Sequence, residues 1–244
     1  MTDKDAVTRE FCPTGVLRAA LNFGNRVLIG RDEAGQPMGI TADLARALAE
    51  QLGVELRFVE MDRAVDVSAS ATEELWDLCF LALDPKRAET IHFSAPYVQI
   101  DGSYLAGATC PAQTSRDLVA LGLPVGSVEG SAYSLTLARL PGAEHVMYFH
   151  DIHAMLAALD QGRVAAVAGI ASVMAEEALH RPGSRLLSPP FMSIRQAMGV
   201  PAGRPRAAAA LQDFVATAAR SGRIADILER HGVDRACALD GPAT

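Results

Sequence analysis

The sequence predicts an α/β protein built as two successive parallel-sheet lobes. Three observations carry that expectation. Strand-like and helix-like segments alternate along the chain, as they do where helices cross over a parallel sheet. The alternation restarts after Tyr97. The length of 244 residues, set against about 150 per domain, favours two small lobes or one large unit.

The first strand is Gly15 to Leu21, followed by a polar loop from Asn22 to Gln36 rich in Asn, Gly and Asp. A periodic helix follows, with Thr41 as its N-cap, Leu44, Ala47, Leu48 and Leu52 on one face, and Gly53 as its stop. Val54 to Val59 alternates apolar and polar residues as a strand does. After a short surface helix that Trp76-Asp77 ends against the core, Leu78 to Leu83 is a continuous apolar run, the pattern of a parallel strand buried on both faces. Then come a strand at Leu123 to Val128, a helix from Gly130 to Leu140, a helix from His150 to Leu159 and a short buried strand at Val164 to Ala168. Another helix ends at Glu176 to His180. Helices at Ala207–Ala219 and Ile224–His231 complete the chain, with a frayed tail from Arg235 to Thr244.

Composition excludes several classes. Half the residues are hydrophobic and 21% are charged, which is incompatible with intrinsic disorder. The net charge of −7 opposes binding to nucleic acid or to an anionic membrane. No segment approaches the ~20 apolar residues of a membrane helix. Cys12, Cys79, Cys110 and Cys237 are scattered, with neither zinc-finger spacing nor a disulfide framework, so no metal and no cofactor is expected. His150 and His153 share a helical spacing but lack a third ligand. No phosphate-binding loop, dinucleotide fingerprint or G-x-S-x-G elbow occurs. The first ten residues are polar and mixed in charge, so the chain as it stands reads as cytoplasmic, or as periplasmic if a leader was removed.

The chemistry concentrates in Asp84-Pro85-Lys86-Arg87 and the residues after it. Asp84 lies just past the carboxyl end of an apolar strand, where open α/β sheets bind ligands. Pro85 suits the first position of a helix, which makes Asp84 an N-cap and brings backbone N–H groups to the same place. Arg87 adds a planar fork of donors that fits a carboxylate. A solvated ion pair with Asp84 or Glu89 is the plain alternative.

The segment from Ala82 to Arg87, followed by Phe93-Ser94-Ala95-Pro96-Tyr97, resembles the S-x-T-x-x-R and F-S-x-P-Y signature of the family 3 periplasmic solute-binding proteins, polar amino-acid class. Gly39-Ile40-Thr41-Ala42-Asp43-Leu44 is similar to that family's G-F-D-x-D-L helix entry, and Leu159 to Val164 to its L-x-x-G-R-x-D-A segment. The resemblance runs from about Gly15 to Val233. It implies a two-lobed type II periplasmic-binding-protein fold that closes on its ligand like a trap. Residues 14–99 plus 197–244 form lobe 1, residues 100–196 form lobe 2, and 1–13 are an N-terminal extension. Crossover strands are expected near Val98–Leu105 and Phe191–Gly199, with Arg195 and Gln196 in the second.

By the same resemblance Arg87 holds the ligand's carboxylate. Gly130 and Ser131, with Ala132 and Tyr133 beside them, supply donors from the second lobe. Asn22, Phe23 and Asn25 stand in the first loop, Phe23 as the covering aromatic and Asn25 nearest the family position. The sequence departs from the family at two places. Ala82 and Asp84 replace a Ser and a Thr. Gly169-Ile170-Ala171 holds no carboxylate where the family meets the ligand's ammonium with an aspartate. Either Asp84 supplies that charge or the ligand is not an ordinary α-amino acid. The implied function is a non-enzymatic, monomeric binding protein for a small carboxylate ligand, serving an ABC permease or a sensor. The alternative is an enzyme on the same fold, similar to cyclohexadienyl dehydratases, with Asp84 as its only evident acid or base.

Overall fold

In the computed structural model, which describes residues 3–239, the chain forms two compact units. One ends at Gln99 and resumes at Arg195, and the other is Ile100–Ile194. Met1, Thr2 and residues 240–244, the end of the expected frayed tail, lie outside the described residues.

In the first unit, helix α1 (Asp3–Phe11) precedes strand β1 (Val16–Asn22), a small ribbon of β2 (Gly30–Arg31) and β3 (Pro37–Met38), helix α2 (Ile40–Leu52) and strand β4 (Glu55–Met61). Helix α3 (Ala64–Ala69) and strand β5 (Leu78–Ala82) follow, and β6 (Ile91–Ala106) begins here. β1 is central: it pairs in parallel with β4 on one side and β5 on the other. The apolar runs that mark β1 and β5 as strands are buried on both faces, whereas β4, at the edge, alternates exposed and half-buried residues.

α2 is amphipathic as expected and stops at Gly53, whose φ of 73° lets its amide reach the carbonyls of Ala49 and Glu50. Its N-cap is Gly39 rather than Thr41. At Gly39 the backbone passes so close to β2's approach that a Cβ would lie 2.7 Å from the Leu28 carbonyl oxygen. Thr41 is one residue inside the helix and donates its hydroxyl to that same carbonyl. Trp76 lies against the core as expected, but it and Asp77 follow the helical segment rather than end it, and both are fully buried, with the Trp76 indole donating to Ser70 Oγ at 3.1 Å.

The second unit takes the rest of β6, α4 (Ser115–Ala120), β7 (Val125–Val128), α5 (Ala132–Leu137), β8 (Val146–Phe149), α6 (Ile152–Asp160), β9 (Ala166–Ile170), α7 (Ala171–Leu179) and β10 (Arg185–Leu186). β7 pairs in parallel with β8 and β9, and β9 runs antiparallel to β6. Its core gathers Tyr104, Leu118, Val125, Leu137, Ala166, Ala168 and Leu187. α5 ends three residues before the expected Leu140, ahead of Pro141-Gly142, where proline and a left-handed glycine cannot continue a helix. α6 starts at Ile152 because Asp151 caps it, accepting from the Ala154 amide at 2.8 Å, so His150 precedes the helix and does not share its face with His153.

β11 (Met192–Pro201) returns the chain to the first unit, where it runs antiparallel to β5, followed by α8 (Pro205–Arg220) and α9 (Arg223–Arg230). The described part of the tail is ordered by specific bonds rather than frayed. Arg235 pairs with Asp226 and Glu229 of α9 at 2.7 and 2.9 Å, and the Leu239 amide donates to the Tyr97 carbonyl at 3.1 Å.

Candidate functional site

Each unit assembles one group of the expected residues, and both groups form in the same way. In the first unit β1 and β5 are parallel neighbours, with Ala19 beside Leu78 and Ala20 beside Cys79. Asn22 ends β1, the loop carrying Phe23 and Asn25 leaves from there, and Asp84 and Arg87 follow the carboxyl end of β5. In the second unit β7 and β9 are parallel neighbours. Gly130 to Tyr133 follow β7, and Ile170 ends β9. Carboxyl ends of adjacent parallel strands are where α/β sheets place their ligand-facing loops.

Arg87 is 4% exposed. Its Nη1 donates to the Ala82 carbonyl at 3.0 Å, which anchors the guanidinium over the end of β5. Burial pushes its pKa down from the ordinary arginine value, while the nearby Asp84 acts in the opposite direction. Desolvation is the larger influence, so the guanidinium stands in an environment that an incoming anion would relieve.

Asp84 is 6% exposed and shapes a turn rather than a helix. Its Oδ1 accepts from the Lys86 amide at 2.9 Å and its backbone carbonyl accepts from Ala88 at 3.0 Å. The expected helix beginning at Pro85 is absent. Only a single 3-10 turn, Arg87–Glu89, intervenes before β6 starts at Ile91. The β-favouring run Thr90 to Phe93 claims the chain for the sheet before an α-helix can complete its second turn. The aligned N–H groups of a helix terminus are therefore not part of this site, and the arginine side chain carries its charge.

The loop after β1 is tight. Asn22 Oδ1 accepts from the Gly24 amide at 3.1 Å, and the Asn25 carbonyl accepts from the amides of Leu28 and Ile29. Asn25 is 8% exposed and its side-chain oxygen is buried without a hydrogen-bond partner. Phe23 has one ring face covered by the Arg31 guanidinium, 4.2 Å from the ring centre. Arg31 in turn pairs with Glu60 at 2.6 Å and donates to the Gly35 carbonyl. Sequence reasoning missed Arg31, since nothing in its neighbourhood marks it; the fold brings it to Phe23 through the β2–β3 ribbon.

In the second unit Ser131 caps α5. Its Oγ accepts from the Ser134 amide at 3.1 Å and donates to the Val128 carbonyl at 2.7 Å, and its own amide donates to that carbonyl as well. The donors expected of Ser131 are thus engaged within the turn. Gly130 holds a left-handed φ of 69°, which a side chain would strain. Tyr133 packs against the core beside Tyr104 and Phe191, and burial raises its phenol pKa to about 12, with the Ser131 side chain acting against that. Ile170 begins α7 without a side-chain cap.

The profile of the bacterial extracellular solute-binding proteins, family 3, matches residues 28–234. The chain belongs to that family. Its fold is the two-lobed type II periplasmic-binding-protein fold. None of the curated proteins matches it in sequence. Solved structures match along most of its length. A mutant of ArgBP from T. maritima superposes with a TM-score of 0.78 at 21% identity, covering 93% of this chain and 99% of that one. The amino acid ABC transporter substrate-binding protein AbpA from Streptococcus pneumoniae, bound to L-arginine, gives 0.76 at 22%, covering 91% and 96%. An ancestral amino acid-binding protein described as a precursor of cyclohexadienyl dehydratase gives 0.74 at 20%, covering 91% and 97%. At these identities the likeness of this solute-binding protein to the three is one of fold.

Proposed function

We propose that this solute-binding protein takes up a small carboxylate-bearing ligand, an amino acid or a related organic acid, without catalysing its conversion, and presents it to an ABC permease or a sensor. The observation that carries this reading is the buried Arg87 at the carboxyl end of β5, with one N–H anchored on Ala82 and a guanidinium that burial disfavours. A guanidinium remains charged at any physiological pH, so a planar anion is the ligand group that best offsets its desolvation. The family membership and the amino acids named for AbpA and the ancestral protein support a ligand of this size.

Isothermal calorimetry with a panel of small carboxylates and amino acids tests it. A ligand found by the panel should lose at least ~2 kcal/mol of binding energy in Arg87→Ala, the loss of a charge-assisted pair. Unchanged affinity in that variant would sink the assignment.

A further inference from the structure

Arg87 has a polar neighbour at the carboxyl end of β5. Ala82, the last residue of that strand, stands opposite Gln196 of β11, which runs antiparallel to it. The Leu83 amide donates to the Arg195 carbonyl at 2.9 Å. That bond makes Ala82 and Gln196 a non-hydrogen-bonded pair, in which Cα atoms approach to about 4.5 Å and both side chains leave the same face of the sheet. Ala82 contributes only a methyl group, so the longer Gln196 side chain meets no polar group there. The Ala82 carbonyl points away from β11, and on that side it accepts from Arg87 Nη1 at 3.0 Å. Gln196 and Arg87 thus flank one residue from opposite sides. Strands lie about 4.8 Å apart, so one small molecule over Ala82 spans both side chains.

Gln196 is also a polar residue in an apolar row. Alternation puts Met198 and Val200 on its face of β11, and both are fully buried. Gln196 is itself 5% exposed, yet its side chain makes no hydrogen bond among the described residues. Its carboxamide atoms are not wholly enclosed, so the little exposure the residue has reaches its polar end. An amide held this deep without a partner is unfavourable, and a ligand that hydrogen-bonds to it relieves the deficit.

We propose that Gln196 is a specificity-determining residue of the Arg87 site, where it reads an uncharged hydrogen-bonding group on the ligand whose carboxylate Arg87 holds. The inference rests on the role proposed for Arg87 above, and it narrows the ligand to a small hydroxy or oxo acid. A carboxamide offers an accepting oxygen and two donor hydrogens but no charge. It therefore matches a hydroxyl, which donates and accepts, or a carbonyl, which accepts. It gives an ammonium no counter-charge, and the Asp84 carboxylate is engaged in its own turn, with Oδ1 on the Lys86 amide.

Calorimetry with matched probes tests the proposal: L-lactate and pyruvate against propanoate, and L-malate against succinate. In at least one set the wild-type protein should bind the hydroxy or oxo acid at least about tenfold more tightly than the parent acid, as a site built to hydrogen-bond that group does. Gln196→Met, close in length and shape, should erase this margin by weakening the hydroxy or oxo acid alone. Its melting temperature should match wild type, since the carboxamide bonds to no described residue. Gln196→Glu should pass the preference to L-alanine, whose ammonium it can meet. Arg87→Ala should weaken every probe that binds, parent acids included. A margin that survives both Gln196 variants would overturn the role of Gln196 and leave the Arg87 reading standing. So would a wild-type protein that binds substituted and parent acids equally. Wild-type affinities in Arg87→Ala would overturn the Arg87 reading on which the inference rests, and a wild-type protein that binds none of the probes would overturn the ligand class.

Discussion

Arg18 and Asp77 form a buried two-pronged ion pair, Nε to Oδ2 at 2.8 Å and Nη2 to Oδ1 at 2.9 Å, with Asp77 fully enclosed. The Arg18 amide also donates to Oδ2 at 3.1 Å, and Arg204 Nη1 donates to Oδ1 at 2.8 Å. One carboxylate thus ties β1, the segment entering β5 and the residue that begins α8. The adjacent Cys12 thiol is raised to about 11, by burial first and by the Asp77 charge second.

Removing Asp77 should therefore be among the most damaging substitutions in the first unit. Asp77→Ala leaves two guanidinium groups without their carboxylate, one of them buried, at a cost of about 3–5 kcal/mol. Urea denaturation measures this. A loss below about 1 kcal/mol would show that solvent readily replaces the pair.

The N-terminal helix buries Phe11 and also supplies a cap to another helix. Glu10 Oε2 accepts from the amides of Arg206 and Ala207 at 2.7 and 3.1 Å, serving α8, which has no side-chain cap of its own. Glu10→Ala should cost about 0.5–2 kcal/mol in thermal unfolding, the range for a lost cap. Glu10→Gln, which keeps an accepting oxygen, should cost less. Equal losses in the two variants would point to charge rather than capping.

Acid should loosen the clasp between α2 and α9. Burial alone would raise Asp43, but hydrogen bonds from His231 and Arg46 and the charge of Arg230 hold it below the ordinary aspartate value. A depressed carboxylate contributes stability that is fully present above its unfolded pKa of about 3.9 and disappears as pH falls through the folded value. Asp43→Asn should therefore be less stable than wild type at pH 7, with the gap closing as pH falls below about 4. A gap independent of pH between 7 and 3 would exclude Asp43 as its source.

Ligand preference should follow the neutral end of β9. With Ile170 where the family carries a carboxylate, carboxylates lacking an α-amine should shift the melting temperature more than common amino acids do, since a ligand stabilises the state it binds. Asp84→Asn separates the two ways of meeting an amine. If Asp84 only shapes its turn, carboxylate binding survives the change, because Asn satisfies the Lys86 amide equally well. If it receives an ammonium, amino-acid binding disappears. Tight binding of an ordinary amino acid that persists in Asp84→Asn would refute the preference.

Much of this molecule is legible in its sequence. Uninterrupted apolar runs such as Leu78 to Ala82 can be covered only on both faces, so they declare parallel strands. Gly53 stops its helix through a backbone rule that acts within a few residues. The position of Arg87 just after such a run, together with the ordered motifs around it, is enough to identify the family and to single out the anion-binding candidate. Local signals failed where a distant segment competed. Thr41 lost the cap to Gly39 because the Leu28 backbone leaves no room for a side chain, and Asp84 begins a turn because β6 claims the residues that a helix would need. Arg18 and Arg204 at Asp77, Glu60 at Arg31 and His231 at Asp43 lie from 29 to 188 residues away along the chain from the residues they pair with. Pairing between charges so far apart is decided by which strands and helices pack together, and that is a property of the tertiary structure alone.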